Sequence, residues 1–341
     1  MEKLNQTFVS QFYILGLSQN SDVQLLIFIS FAFMYLMTLL GNIVIITIIY
    51  IDSHLQKPMY YFLAVLSFLD ICFTSVTVPK MLSICSTGDK SISFSACILQ
   101  YYFCFSFLST EFYLLSVMAC DRYVAICIPL RYSALMSNRA VILLAVASWI
   151  IGFLDTIPHT VLMSTLSYCG SNEIDHFFCD HNALLKLSCT DTYFIDIATF
   201  GVGAVVVLGP FMLTITSYML IISKIMKIPS TTGRQKAFST CSSHLTAVVL
   251  FYGTEVVVYM APALATSQEK AKIFTVLFTI VIPLLNPFIY SLRNKDVKRA
   301  LAKIIENILE RHAELHKVPR KMEIWPVSSH SAPQSAIYCN V

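Results

Sequence analysis

Seven long apolar stretches, parted by short polar ones, mark out the chain. They run near Leu25–Ile49, Met59–Met81, Ile98–Ala119, Ala140–Met163, Ile197–Ile222, Leu245–Ala261 and Ile273–Leu292. A helix of about 20 residues spans the ~30 Å hydrocarbon core of a bilayer, so each stretch predicts a crossing. The sixth has a polar beginning and the weakest signal. The expected fold is an all-α membrane protein, a seven-helix bundle over residues 23–294. Beyond it, Val297, Leu301, Ile304, Ile305 and Ile308 recur at helical spacing among Lys298, Arg299 and Lys303. That pattern predicts a short amphipathic helix over 295–311, lying on a membrane surface. From His312 the chain turns polar with scattered Pro and Ser, which predicts a disordered tail over 312–341. Residues 1–22 are polar or mixed. The apolar run after them is too long for the core of a cleaved signal peptide, so it is expected to stay as an anchor.

Composition narrows the class. Of 341 residues, 56% are hydrophobic and only 13% charged, whereas soluble domains carry about 25% charged residues. The net charge of +3 says little about partners, and no nucleic acid is expected. No phosphate loop, nucleophile elbow or zinc-protease helix is present, so the chain is not expected to be an enzyme. Lys and Arg crowd one set of loops (Lys57, Arg122, Arg131, Arg139, Lys224, Lys227, Arg234, Lys236, Arg293) and are sparse on the other. The positive-inside bias then puts the amino terminus outside the plasma membrane, and with it the glycosylation sequon at Asn5.

Motifs give the chain a family. The third stretch ends in Met118-Ala-Cys-Asp-Arg-Tyr-Val-Ala-Ile-Cys127, where a charged pair is costly unless it sits at the water boundary or faces other helices. Pro58-Met-Tyr-Tyr-Phe-Leu63 opens the second stretch, with proline where a first helical turn accepts it. Lys236-Ala-Phe-Ser-Thr-Cys-Ser-Ser-His-Leu245 opens the sixth, and Pro283-Leu-Leu-Asn-Pro-Phe-Ile-Tyr290 closes the seventh, followed by Ser291-Leu-Arg-Asn294. In this order, over roughly Asn5 to Leu309, these segments resemble the olfactory branch of the rhodopsin-like G-protein-coupled receptors. Tyr61, where the family usually has Phe, is a mild departure.

That resemblance implies a receptor for small, mostly hydrophobic odorants that activates a stimulatory G protein and raises cyclic AMP. It implies a switch in which Asp121 holds Arg122 at rest, beside Tyr123. Tyr218, His244, Asn286, Pro287 and Tyr290 complete the switch. Asp70 and Glu111 both lie mid-stretch, and two carboxyls deep in one bundle need a shared proton or a small cation. The resemblance adds Asn42 and Asn286 and implies a sodium site, with no other cofactor. Four outer cysteines allow three pairings, from which it selects Cys97–Cys179 and Cys169–Cys189. His176, Cys179, Asp180 and His181 invite a metal, but a disulfide-bonded Cys179 supplies no thiolate. Trp149 reads as a packing residue, and His159 as a loop hydrogen-bonding group.

For the ligand pocket, helical spacing groups Cys104, Leu108 and Glu111 on one face, and Tyr252, Glu255, Val256 and Tyr259 on another. The resemblance adds Phe105, Ser109, Val202, Val206, Val276 and Thr279. Glu255 stands out in this apolar lining and is expected either to select a donor or amine ligand, or to bond a neighbouring helix. Two other classes compete: a non-olfactory receptor of the same fold for an amine or peptide, and an ion-coupled transporter. The transporter reading lacks an inverted repeat. Ligand identity, tissue and oligomeric state are not legible.

Overall fold

The computed structural model of the chain describes residues 9–315 apart from 170, 191, 256, 259–267 and 294. A short strand, β1 (Gln11–Ile14), leads into helix α1 (Ser21–Ile51). Next come α2 (Pro58–Thr87), β2 (Ser91–Ser93), α3 (Phe94–Cys127) and α4 (Asn138–Thr165). After β3 (Glu173–Ile174), α5 covers Tyr193–Met226 and α6 covers Thr231–Glu255. The last bundle helix, α7, runs from Gln268–Val276 through a π-helical stretch, Leu277–Val281, into Ile282–Arg293. A further helix, α8, covers Lys295–Leu315.

Among the described residues, six helices are long and apolar enough to cross a bilayer. The sixth expected stretch, Leu245–Ala261, lies only in part within the described residues: α6 opens with the polar Lys236–His244 motif and is described as far as Glu255. Helix starts follow ordinary capping chemistry. The Asn20 side chain accepts from Asp22 N at 2.9 Å, Ser93 from Ala96 N at 3.3 Å, and Ser137 from Ala140 N at 3.4 Å. Gly88 ends α2 with φ 73°, a left-handed conformation that glycine adopts without penalty.

Helix α3 is the axis of the bundle, packing against α2, α4, α5 and α6, and most of its length is buried. Glycine allows the tightest approach. A Cβ on Gly152 of α4 would lie 2.6 Å from the Thr110 backbone N and 2.9 Å from its Cα, so these two helices meet backbone to side-chain-free backbone. At the other side of the bundle Gly41 of α1 lies against Pro287 of α7.

The sheet is the feature that hydrophobic periodicity did not announce. Its strand order is β2-β1-β3: β1 pairs antiparallel with β2 (Phe12 opposite Ile92) and parallel with β3 (Ile14 opposite Ile174). Phe12 and Ile14 are fully buried in a cluster with Ile84, Tyr101, Tyr168, Leu184 and the Cys97–Cys179 pair. Phe12 meets Tyr168 edge-on at 5.2 Å, and the Tyr168 hydroxyl donates to Met163 O at 2.8 Å. Strands of two to four residues are too short to show an alternating pattern above noise. Residues 9–16 are therefore not a loose extension but the middle strand of a cap over one end of the bundle.

Candidate functional site

Below that cap lies a cavity of about 340 Å³ bounded by α3, α4, α5, α6 and the short helix His181–Leu185. Helical periodicity explains which side chains reach it. On α3 the lining residues Tyr101, Phe105, Leu108, Ser109 and Phe112 fall at i, i+4, i+7, i+8 and i+11, one face of one helix. On α5 they are Thr199, Gly203, Val206 and Val207; on α4, Asp155, Thr156 and His159; on α6, Glu255. The surface is mainly apolar, with polar groups at a few fixed points.

Those polar points are organised. Asp155 accepts from Ser109 Oγ at 2.7 Å and from Tyr113 OH at 3.2 Å through Oδ2, and from Thr156 Oγ1 at 3.2 Å through Oδ1. The Tyr101 hydroxyl lies 3.1 Å from His181 Nδ1, which ties α3 to the loop helix. Glu255 is 3% exposed, and its Oε1 has no hydrogen-bond partner among the described residues. His159 Nδ1 is likewise without one. One helical turn after Asp155, His159 lines the cavity.

Of the expected pocket residues, Phe105, Leu108, Ser109, Val206 and Glu255 line this cavity. Cys104 is buried beside it without lining it. Val202 is 41% exposed, because the inward face of α5 passes through Thr199, Gly203 and Val207 and leaves Val202 on the outer edge. Tyr252 packs beneath the cavity, with its ring 5.1 Å from Phe112 and 5.0 Å from Phe211. Val276 and Thr279 do not line it, since α7 packs on α1, α2 and α6 instead. The Thr279 hydroxyl donates to Thr275 O at 2.8 Å, within its own helix. Val256 and Tyr259 lie outside the described residues, as do Asn5 and most of the tail from His312. Asp155 is the main residue that the sequence reading missed. A lone acid inside an apolar run, one turn before a histidine, was the available signal.

Both expected disulfides are present, Cys97–Cys179 and Cys169–Cys189, with Cα separations of 5.6 and 5.7 Å. Gln100 braces the first of them. Its Nε2 donates to Val76 O at 2.9 Å, and its Oε1 accepts from Cys179 N at 3.0 Å. In the same loop His176 packs against Phe177 and Phe178, and burial holds its imidazole below the usual 6.5.

At the opposite end of α3, Asp121 and Arg122 form an ion pair, with both Arg122 Nε (3.0 Å) and Nη2 directed at Asp121 Oδ2. They are 1% and 7% exposed, so the pair is sequestered from water. The other carboxylate oxygen accepts from Tyr132 OH at 2.8 Å, from the short helix Tyr132–Leu135. Burial and the adjacent Asp121 push the Tyr132 phenol above its ordinary value, so it remains a donor. Tyr218 OH lies 2.6 Å from His244 Nδ1, its ring stacked on the imidazole. Tyr123 packs on the apolar cluster of Ala119, Ile221 and Ile225. Tyr290 is buried with its hydroxyl unpartnered among the described residues. In the bundle centre, Asn286 Nδ2 donates to Asp70 Oδ1 (3.2 Å) and Oδ2 (3.1 Å). Asn42 reaches the Thr38 and Pro283 carbonyls rather than Asp70. Glu111 is buried close by, with no hydrogen bond to Asp70 among those described.

A bundle of membrane-crossing helices, with a cavity towards one end of α3 and a buried ion pair at the other, makes this a multi-pass membrane protein. The family model described as "Olfactory receptor" matches residues 31–308. Human olfactory receptor 1F1 is 48% identical over 309 residues, covering 91% of this chain and 99% of that protein. Human olfactory receptor 1C1 is 49% identical, covering 89% and 97%. Rat olfactory receptor 1468 is 47% identical with the same coverage. The chain belongs to the olfactory receptor family.

Proposed function

We propose that the protein is a plasma-membrane odorant receptor, with its amino terminus outside. It binds small, mostly hydrophobic molecules in the cavity between α3, α4, α5 and α6 and activates a stimulatory G protein, raising cyclic AMP. The observation that carries the reading is the cavity itself. A space of about 340 Å³ with a mainly apolar wall suits a small hydrophobic guest with one or two polar atoms. It lies at the other end of α3 from the Asp121–Arg122 pair, so a ligand can act on the latch only by preferring one arrangement of the helices over another. Release of Arg122 toward Tyr218 and Tyr290, as α6 moves away, opens a site for the carboxy-terminal helix of the G-protein α subunit.

Sodium at Asp70 and Glu111 belongs to the same proposal. Asn42 Oδ1 and Asn286 Oδ1 are buried oxygens without partners among the described residues, and neutral oxygens beside a carboxyl are the donors a hard cation takes. The ion would favour the resting arrangement. Sodium titration of ligand affinity tests it, and an affinity independent of sodium removes it.

The principal test is a screen of volatile ligands in cells expressing the full chain, read as cyclic AMP beside surface abundance. Arg122→Ala should abolish the response while the protein still reaches the surface. A full response from that variant would refute the latch. Ligand-driven uptake without cyclic AMP would favour the transporter class instead.

A further inference from the structure

Two carboxyl groups from different helices line one cavity, and no Lys or Arg is among its described lining residues. Glu255 on α6 is almost wholly buried and keeps one oxygen without a hydrogen-bond partner among the described residues. Asp155 on α4 is fixed by three hydroxyls, from Ser109, Tyr113 and Thr156. A carboxylate offers about four acceptor sites, so Asp155 keeps capacity for one more donor, its direction set by the three already present. The unmet carboxyl oxygens of this cavity are acceptors. Buried acceptors without donors are costly, and a guest that supplies donors removes that cost.

We propose that the cavity selects small amines, with Glu255 as the carboxyl that receives the ammonium group. An ammonium brings three donors and a positive charge, and loses its hydration on entering an apolar cavity. The Glu255 carboxyl replaces part of the lost water. The aromatic and aliphatic side chains of Phe105, Leu108, Phe112 and Val206 receive the hydrocarbon part. A carboxylic acid of the same size would meet repulsion, and an alcohol or ester would leave a carboxyl uncompensated. The proposal rests on the cavity being the ligand site, and it names the class of ligand that the site prefers.

Cyclohexylamine, cyclohexanol and cyclohexanecarboxylic acid share a ring and differ at the head group. Each is added to cells expressing the full chain, with cyclic AMP as one readout. The melting temperature of the purified receptor serves as a second, independent of G protein. The expected result is stabilisation and activation by the amine at concentrations at least about tenfold below those the alcohol needs, with none by the acid. Glu255→Gln should raise the amine requirement by about tenfold or more and turn the preference toward the alcohol. Glu255→Asp, which keeps the charge, should retain part of the amine preference. If Glu255→Gln fails to reach the surface, Glu255→Asp and the ligand series on the native receptor carry the test. Equal or better action of the alcohol, or an unaltered ranking in the variants, overturns the amine assignment and leaves the odorant reading intact. Amine stabilisation without cyclic AMP supports the assignment and instead overturns the stimulatory coupling.

Discussion

The hydroxyl of Tyr132 holds one oxygen of Asp121 while Arg122 holds the other. Tyr132→Phe keeps the ring and removes only the donor. A hydrogen bond to a charged group contributes about 1.5–3 kcal/mol. Tyr132 is only half-buried, so the lower end applies, about 1.5 kcal/mol. If the bond exists only in the latched arrangement, its loss moves the resting equilibrium by that amount, slightly more than the ~1.4 kcal/mol that makes a factor of ten. A receptor active for about 1% of the time unliganded would become active for about 10%. Basal cyclic AMP per receptor at the surface should rise accordingly, and the ligand concentration giving half-maximal response should fall. The assay compares the variant with the native receptor at matched surface density by flow cytometry, without ligand. An unchanged basal signal at equal density would show that Tyr132 binds Asp121 equally in both arrangements, and that the latch is Arg122 alone.

Three further expectations follow from packing and charge. Gly152→Ala would place a methyl 2.6 Å from the Thr110 backbone N; overpacking of this kind costs about 1–3 kcal/mol. It should lower the melting temperature of the solubilised receptor, and an unchanged melt would mean that α4 moves off α3 freely. Phe12→Ser removes a fully buried ring from the cap, a loss of about 3 kcal/mol. It should expose residues 9–16 to protease while the helices stay resistant, and an uncut segment would refute the anchoring role. His176 is buried and its pKa lies below 6.5, so below that pH the unfolded chain takes a proton that the folded loop refuses, and stability falls as pH falls. Melting of the native protein should decline between pH 6.5 and 5 more steeply than that of His176→Phe, and parallel slopes would exclude His176 as the source.

What could be read from residues alone tracks the physics of each signal. Long apolar runs are dictated by bilayer thickness, so every bundle helix was foreseeable, including α6 once its polar motif was counted as helix. The disulfide pairings came from family resemblance, because four cysteines by themselves leave three answers. The cap was not foreseeable: β1 gains its partners from residues 91–93 and 173–174, and no local pattern carries such distant pairings. On α3 the family resemblance supplied Phe105 and Ser109 and helical spacing supplied Leu108, and these three line the cavity whereas Cys104 does not. On α5 the resemblance supplied Val202 and Val206, and the inward face of the helix carries Thr199, Gly203, Val206 and Val207 instead of Val202. The Asp121–Tyr132 bond joins residues eleven apart across a turn, a distance at which helical spacing says nothing.

The middle strand of the cap comes from the first twenty residues, yet its neighbours are translated much later, one of them after four of the seven crossings. During synthesis this segment must therefore wait, tethered to an already inserted helix, until residue 174 arrives. An insertion between residues 9 and 16 would break the middle strand on which both of its neighbours pair. The roof of the bundle is thus closed only from mid-chain, long after the first helix has been made.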